Sequence, residues 1–385
     1  MWCCMLRKLG AVTAGFIAAT LAIELALCGI LATPLKWLLP VPSAPFLQVD
    51  PNTRTQHRPN VSGMWVTEHR AFIRNSNLGL RDRNREIAHD QSPRAIVIGD
   101  SFVEAKEVEW QQTGVAVAER LLARDIPGAE AVNLGQMGAL PALDIALLQF
   151  KGLPLTPNVA VVTVQVETLL DPRIVDDSVL PGYRRGADGA FHVSFGFRKT
   201  LHFRLLAGIE GNLFYWLLDH SQIARVLDTR QAVGWLAELW SPPDRAGGTA
   251  WACSPNALDA QTELWIDGQP SVARAVLDAF IRDLSTIRRD NRLPIILGTL
   301  GIEARCPALA PKRAALTNAI RAKLAAAGLQ FADLDAAVVS KVGRDRVSWL
   351  YGFGSHLGGG HFNVEGNRVF GEVLADVLRP ALGAL

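Results

Sequence analysis

Two short stretches carry the residue types that perform acyl chemistry. Ile98-Gly99-Asp100-Ser101 closes an apolar, β-branched run that begins at Arg94, and the helix-compatible Phe102-Val103-Glu104-Ala105 follows it. A serine placed there presents its hydroxyl at the carboxyl end of a buried parallel strand, the edge at which open α/β sheets bind ligands. Backbone N–H groups at a helix start can hold an oxyanion beside it. The same residues also read as a plain strand-to-helix turn with Asp100 or Ser101 as N-cap, and Asp100 fits that cap better than a second catalytic acid. A nucleophilic serine needs a base. His361, in Gly360-His361-Phe362-Asn363-Val364-Glu365-Gly366-Asn367, falls just before the last helix and so at the same sheet edge. His356 is a second candidate, in a glycine-rich loop. His356, His361 and Glu365 follow no standard metal-ligand spacing, and no cofactor motif is visible, so neither metal nor cofactor is expected.

The elements that must position these residues follow from hydrophobic periodicity. Strands are predicted at about 95–98, 131–134, 159–166, 293–299 and 329–334. The third, an almost unbroken apolar run, suits the centre of a parallel sheet. Helices are predicted within about 113–124, around Leu140, Leu143, Leu147 and Phe150, and at about 272–288, 311–327 and 364–378. This alternation predicts one doubly wound α/β sheet of five parallel strands. It is interrupted by an insertion at about 171–270 that holds Phe214, Tyr215, Trp216, Trp235, Trp240, Trp251 and Trp265. Those aromatic residues read as core or as a sugar-stacking surface.

The first residues decide the compartment. Arg7 and Lys8 precede an apolar stretch from Leu9 to about Ala32 broken only by Glu24, long enough for the ~20 helical residues that cross a bilayer core. Positive charge before the span and little after it places the body outside the cytoplasm: a single-pass protein of a bacterial inner membrane with its domain in the periplasm. A cleaved signal peptide lacks a small-x-small site, and a lipid-modified Cys28 is disfavoured by the large Leu27 before it. At mid-membrane Glu24 would cost about 2.5–3.5 kcal/mol, so it must meet a partner or lie near the outer interface, and its position near the far end favours the interface. The organisation expected is a cytoplasmic tip and anchor (1–35), a linker rich in Pro, Asn and Ser (36–67) and a domain (68–385). The net charge of +2 and the lack of a Lys/Arg-rich run argue against nucleic acid. Cys253 and Cys306 are the only cysteines of the exported body and could pair in an oxidising compartment.

Taken together the motifs resemble the SGNH, or GDSL-like, hydrolase superfamily in its membrane-anchored bacterial form. Ile98-Gly99-Asp100-Ser101-Phe102 resembles its first block, which implies Ser101 as nucleophile and its N–H as an oxyanion donor. Asn133-Leu134-Gly135-Gln136-Met137-Gly138 resembles the second block, which implies Gly138 N–H as the other donor. His361 with Asn363 and Gly366 resembles the terminal His-x-Asn-x-x-Gly pattern of the base. Asn77-x-Gly79-x-Arg81-Asp82 is similar to a segment of anchored members. The resemblance implies a three-layer α/β/α fold and a serine esterase acting on an acyl ester, such as an O-acetylated polysaccharide or a lipid ester. An O-acyltransferase, or a degenerate member that binds carbohydrate without turnover, fits the same fold. Two positions depart from the family pattern. After strand three Glu167 stands where the family has an oxyanion-binding Asn, so Gln165 or Thr168 would have to donate instead. Gly358 and Gly359 stand where the acid partner of the histidine belongs, so His361 would work in a dyad or be served by Asp333, Asp335 or Asp345.

Overall fold

The computed structural model describes residues 2–33, 46–66, 68–87, 92–170, 172–228, 272–300 and 310–384. Helix α1 (Trp2–Ala32) comes first, followed by two antiparallel hairpins, β1 (Leu47–Asp50) with β2 (Arg54–His57) and β3 (Ser62–Trp65) with β4 (Ala71–Arg74). The α/β body begins with β5 (Arg94–Gly99), α2 (Ser101–Glu104), α3 (Gly114–Asp125), β6 (Glu130–Gly135), α4 (Pro141–Leu147) and β7 (Val159–Val164). The insertion opens with a hairpin, β8 (Gly182–Arg185) and β9 (Phe191–Ser194), and three helices, α5 (Leu201–Ala207), α6 (Ile209–His220) and α7 (Gln222–Asp228). The body resumes with α8 (Val272–Asn291), β10 (Ile295–Thr299), α9 (Ala310–Ala326), β11 (Gln330–Asp333), α10 (Leu334–Val342) and α11 (Val364–Gly383).

The five predicted body strands form one parallel sheet in the order β11-β10-β7-β5-β6. Every residue of β5 and β7 is buried, as expected of strands covered on both faces. Successive side chains of β5 point to opposite faces and join two separate cores. Ile96 and Ile98 pack with α4, α8 and α9 through Leu143, Phe280 and Ile320, whereas Ala95 and Val97 pack with α3, α10 and α11 through Leu122, Leu334 and Phe370. The result is the expected three-layer α/β/α sandwich.

The N-terminal approach differs from the expected linker. Three of its strands, β1 to β3, fall within 36–67, each four residues long. Strands so short, and in β2 so polar (Arg-Thr-Gln-His), leave no periodic signal. Polar contacts fasten them to the body instead. Asp50 accepts bonds from the N–H groups of Asn52 and Thr53, both at 2.8 Å, to close the first hairpin, and Lys151 reaches the same carboxylate at 2.8 Å. The Asn77-x-Gly79-x-Arg81-Asp82 segment continues this fastening. Arg81 is wholly buried and donates to the carbonyls of Arg74, Ala105 and Val108, while Asp82 accepts from Asn133 N and Arg85 Nε, both at 3.1 Å.

Helix α1 carries an apolar span from Leu9 to Ile30 with none of it buried. Glu24 meets a protein partner: it accepts from Ser221 Oγ at 2.9 Å, from Ile223 N at 3.0 Å and from Gln222 N, all at the start of α7. Cys253, Cys306, Trp235, Trp240, Trp251 and Trp265 lie outside the described residues, as does the Phe214 side chain.

Gly135, the last residue of β6, lies hard against α2. A Cβ there would stand 2.2 Å from Glu104 N and 2.6 Å from the carbonyl carbon of Val103, both backbone atoms that cannot swing away. Gly135→Ala is therefore expected to destabilise the domain by about 2–3 kcal/mol, in the range of core overpacking. Urea denaturation checks it, and an unchanged midpoint would contradict this packing.

Candidate active site

Ser101 opens α2 directly beyond β5. Asp100 caps the helix by accepting from Phe102 N at 3.0 Å, so both readings of the Gly-Asp-Ser turn hold in one structure: Asp100 is an N-cap and leaves Ser101 at the sheet edge. The helix is a single turn, ended by Ala105 in the left-handed conformation (φ 51°). Ser101 N–H lies in that first turn, where backbone donors have no partner inside the helix.

His361 arrives from the opposite end of the chain. An isolated bridge between Tyr351 and Phe362, with Gly352 N donating to His361 O at 2.9 Å, fixes its backbone. Its ring lies against Phe102, 5.2 Å between centroids. His361 Nε2 stands 2.7 Å from Ser101 Oγ. His361 Nδ1 stands 2.8 Å from Glu68 Oε1, and Glu68 Oε2 accepts the His361 backbone N–H at 2.8 Å. One carboxylate thus grips both the ring and the backbone of the histidine. Asn363 steadies the loop: it caps α11 by accepting from Gly366 N at 2.9 Å and donates to Trp349 O at 2.8 Å.

Glu68 corrects the expectation of a dyad or of a distant aspartate. With Ser101 on one ring nitrogen and Glu68 on the other, no position remains for Asp333, Asp335 or Asp345. Asp333 instead caps α10 through Ala336 N at 3.0 Å. Next to the two glycines at the usual acid positions, Gly360 meets the incoming side chain. At φ +75° it comes so near that a Cβ would lie 2.2 Å from Glu68 Oε2. A second unforeseen carboxylate, the buried Glu107, puts Oε1 3.6 Å from His361 Nδ1, and its Oε2 has no hydrogen-bond partner. No spacing motif links Glu68 or Glu107 to the histidine. The one sequence signal was negative: a missing acid next to His361.

The Gln136-Met137-Gly138 turn after β6 is pinned from three sides. Gln136 N donates to Gly99 O at 2.9 Å, Gln136 Nε2 to Thr55 O at 2.9 Å, and Met137 N to Glu104 Oε2 at 2.8 Å. Asn133 ties β6 to α2 by donating to Val103 O at 2.8 Å. Gly138 sits at the exposed tip with φ +75° and open space where a Cβ would be. Beyond β7, Gln165 donates from its side-chain amide to Asp100, and Thr168 Oγ donates to Gln165 O at 2.7 Å. Thr168 is thus committed to its own turn, and Gln165 reaches the cap of α2. The Glu167 side chain lies outside the described residues. His356 is exposed and takes no part in the Ser101 contact, and Glu365 pairs with Arg368 at 2.5 Å. Among the described residues no three His, Cys, Asp or Glu side chains gather as a metal site.

Electrostatics at the site run strongly one way. Burial alone would lower the His361 pKa, but the hydrogen bond to Glu68 and the charges of Glu107, Glu68 and Asp100 outweigh it and lift it to about 9. Burial pushes the Asp100 and Glu107 carboxyls up. Glu104 goes the other way despite its burial, down to about 2, because Lys106 and His57 flank it.

No protein-family model and no curated protein matches the sequence. Among solved structures the chain is similar to TesA, at 11% identity and a TM-score of 0.38 over 75% of this chain and 99% of that one. It is similar to a lipase/acylhydrolase from Enterococcus faecalis at 13% identity and TM-score 0.36, over 75% of this chain and 96% of that one. An α/β hydrolase enzyme from the metagenome of Lake Arreo, Spain, gives 15% identity and 0.36, over 78% and 98%.

A histidine held at about 9 against an ordinary 6.5 makes a pH prediction. Because the folded value is the higher one, the stability lent by the imidazolium and its carboxylates is fully present below about pH 6.5 and fades as pH rises through about 9. NMR of the His361 ring is expected to show titration near 9, and Glu68→Gln is expected to move it down. Titration near 6.5 in both proteins would refute the pairing.

Proposed function

We propose that the chain is a serine esterase of the SGNH type that acts on an acyl ester outside the cytoplasm of a bacterium. The observation that carries this reading is the unbroken series from Ser101 Oγ to His361 Nε2 at 2.7 Å and from His361 Nδ1 to Glu68 at 2.8 Å. Nucleophile, base and orienting acid stand in the relation that acyl transfer requires, whichever part of the chain supplies each.

In the proposed reaction Ser101 Oγ attacks the acyl carbonyl carbon while His361 Nε2 takes its proton. The carbonyl oxygen, now an oxyanion, is met by the N–H groups of Ser101 and Gly138. Collapse of the tetrahedral adduct breaks the ester C–O bond, and His361 passes its proton to the departing alkoxide. Water then enters, His361 removes a proton from it, and the acyl-serine is cleaved to a carboxylic acid and free Ser101. Glu68 keeps Nδ1–H pointed away from the serine, which fixes the tautomer that accepts at Nε2. The supported substrates are acyl esters presented near a membrane, an O-acetylated envelope or exported polysaccharide or a lipid ester. The single apolar span of α1 behind Arg7 and Lys8 supports a periplasmic placement.

The test uses the full chain in detergent with p-nitrophenyl acetate and a serine-reactive fluorophosphonate probe. Turnover and labelling at Ser101 are expected, and Ser101→Ala should abolish both. Glu68→Gln should cost about 10²–10⁴ in kcat, as loss of a triad acid does. Because the base must be neutral to act, kcat/KM should rise with pH up to about 9. Folded protein with neither labelling nor turnover would sink the esterase reading and leave the binding protein of the same fold. Acyl transfer to an added glycan in excess of release to water would make the chain a transferase.

A further inference from the structure

The part of the insertion nearest α1 exposes an unusual amount of apolar surface. Leu213, Trp216 and Leu217 on α6 are 59%, 55% and 40% exposed, and Leu201 and Leu205 on α5 are 71% and 44% exposed. The three α6 residues fall at i, i+3 and i+4 and so share one helix face. The opposite face is committed to the body: Leu218 is buried, Tyr215 OH accepts from Val49 N at 2.8 Å, and Asp219 pairs with Arg58 at 2.6 Å. The docked face fixes which way the leucines and Trp216 look.

The Glu24 contact sets their depth. Ser221, Gln222 and Ile223, immediately after α6, bond to a side chain that lies inside the apolar span Leu9–Ile30. Glu24, Leu27 and Ile30 are the half-buried positions of the last two turns of that span, on the side facing α7. From Glu24 to Ile30 is six residues, about 9 Å along a helix. Interfacial helices seat their apolar face about 5–10 Å into the headgroup–acyl boundary. An elbow of chain bonded at that depth brings the neighbouring α6 face into the same layer. Lys199 and Arg204, both exposed, lie beside the α5 leucines, the charge that anionic headgroups attract.

We propose that α5, α6 and α7 form a membrane-seated collar around the outer end of α1, with Leu213, Trp216 and Leu217 in the acyl boundary of the bilayer that α1 crosses. The proposal rests on α1 being a membrane span. It gives Glu24 a purpose at an otherwise costly depth: its carboxylate accepts the first N–H groups of α7 and locks the collar to the anchor. The body is then held on the membrane by two attachments, with its orientation set by both.

The test uses the full chain, with its five native cysteines replaced by serine and circular dichroism matching the parent. An environment-sensitive nitrobenzoxadiazole label is placed at Phe16→Cys, Leu213→Cys, Leu217→Cys or Ile87→Cys. Ile87 lies by the amino end of β5, the edge away from Ser101, where its carbonyl accepts from Arg94. In phosphatidylethanolamine–phosphatidylglycerol vesicles, brominated acyl chains are expected to dim the labels at 16, 213 and 217 at least about twofold and to leave 87 unchanged. If iodide from the water quenches 213 and 217 while 16 stays in lipid, the collar is overturned and the span stands. If 16 is also open to iodide, the span reading itself fails. Labels at 213 and 217 shielded from both quenchers would mean that protein covers this face, which also overturns the proposal.

Discussion

The buried carboxylate of Glu104 is the point on which the site depends. It ends the single turn that begins with Ser101, and three groups converge on it: His57 at 2.5 Å, Lys106 at 2.7 Å and the Met137 N–H at 2.8 Å, while Arg81 feels its charge. A lone buried carboxylate would be costly, and a fully partnered one is tolerated and fixes geometry. The same charge therefore joins three pieces of chain: the N-terminal hairpin through His57, the α2 turn itself, and the Gly138 turn through Met137. Without it, the two backbone donors proposed for the oxyanion would have no common support. It also explains why a four-residue helix, too short to be stable alone, holds a fixed shape.

The N-terminal hairpins extend this logic. Their own core is small, built around Phe46, Ala71 and Ile73. Polar ties at Asp50, His57, Arg81 and Asp82 secure them to the body, and through them Glu68 is delivered to His361. A proposed triad whose acid is carried by a separate subregion would be sensitive to how that subregion docks. Docking here is over-determined by buried charge.

How much of this was legible in the sequence follows from what each element is made of. The five body strands were readable because a central parallel strand is largely apolar on both faces, as Ala95–Ile98 and, Thr163 apart, Val159–Val164 are. Asp100 was readable as a cap because capping chemistry is local. His361 was readable because it falls just before the last helix, whereas Gly138 was named only through the resemblance of its block. Glu68 was not. It is related to His361 only through the fold, across 293 residues of chain, and no period or spacing encodes such a pair. The trace it left was the missing acid next to His361, together with Gly360, which has no room for a side chain beside Glu68. The hairpins escaped for a different reason: four-residue polar strands held by side-chain hydrogen bonds resemble a linker in composition.

The concentration of negative charge about His361 bears on how such a site would work. Glu68 alone suffices to orient the ring, as one carboxylate does in other triads. Glu107 and Asp100 add field without adding orientation, since neither bonds to the ring and Glu107 leaves an oxygen without a partner. In the proposed reaction their effect is asymmetric. They disfavour the neutral histidine of the resting state and favour the imidazolium that forms as the serine is deprotonated. A field that stabilises the imidazolium lowers the barrier to forming the tetrahedral adduct and makes the later return of the proton to the alkoxide less favourable. In that reaction the cost would fall on the free protein at neutral pH, where much of the proposed base would already be protonated. A substrate that displaces water from this edge, or a working pH on the alkaline side, shifts that balance. The arrangement at Ser101 would therefore favour proton capture by a neutral His361 over the later release of that proton to the alkoxide.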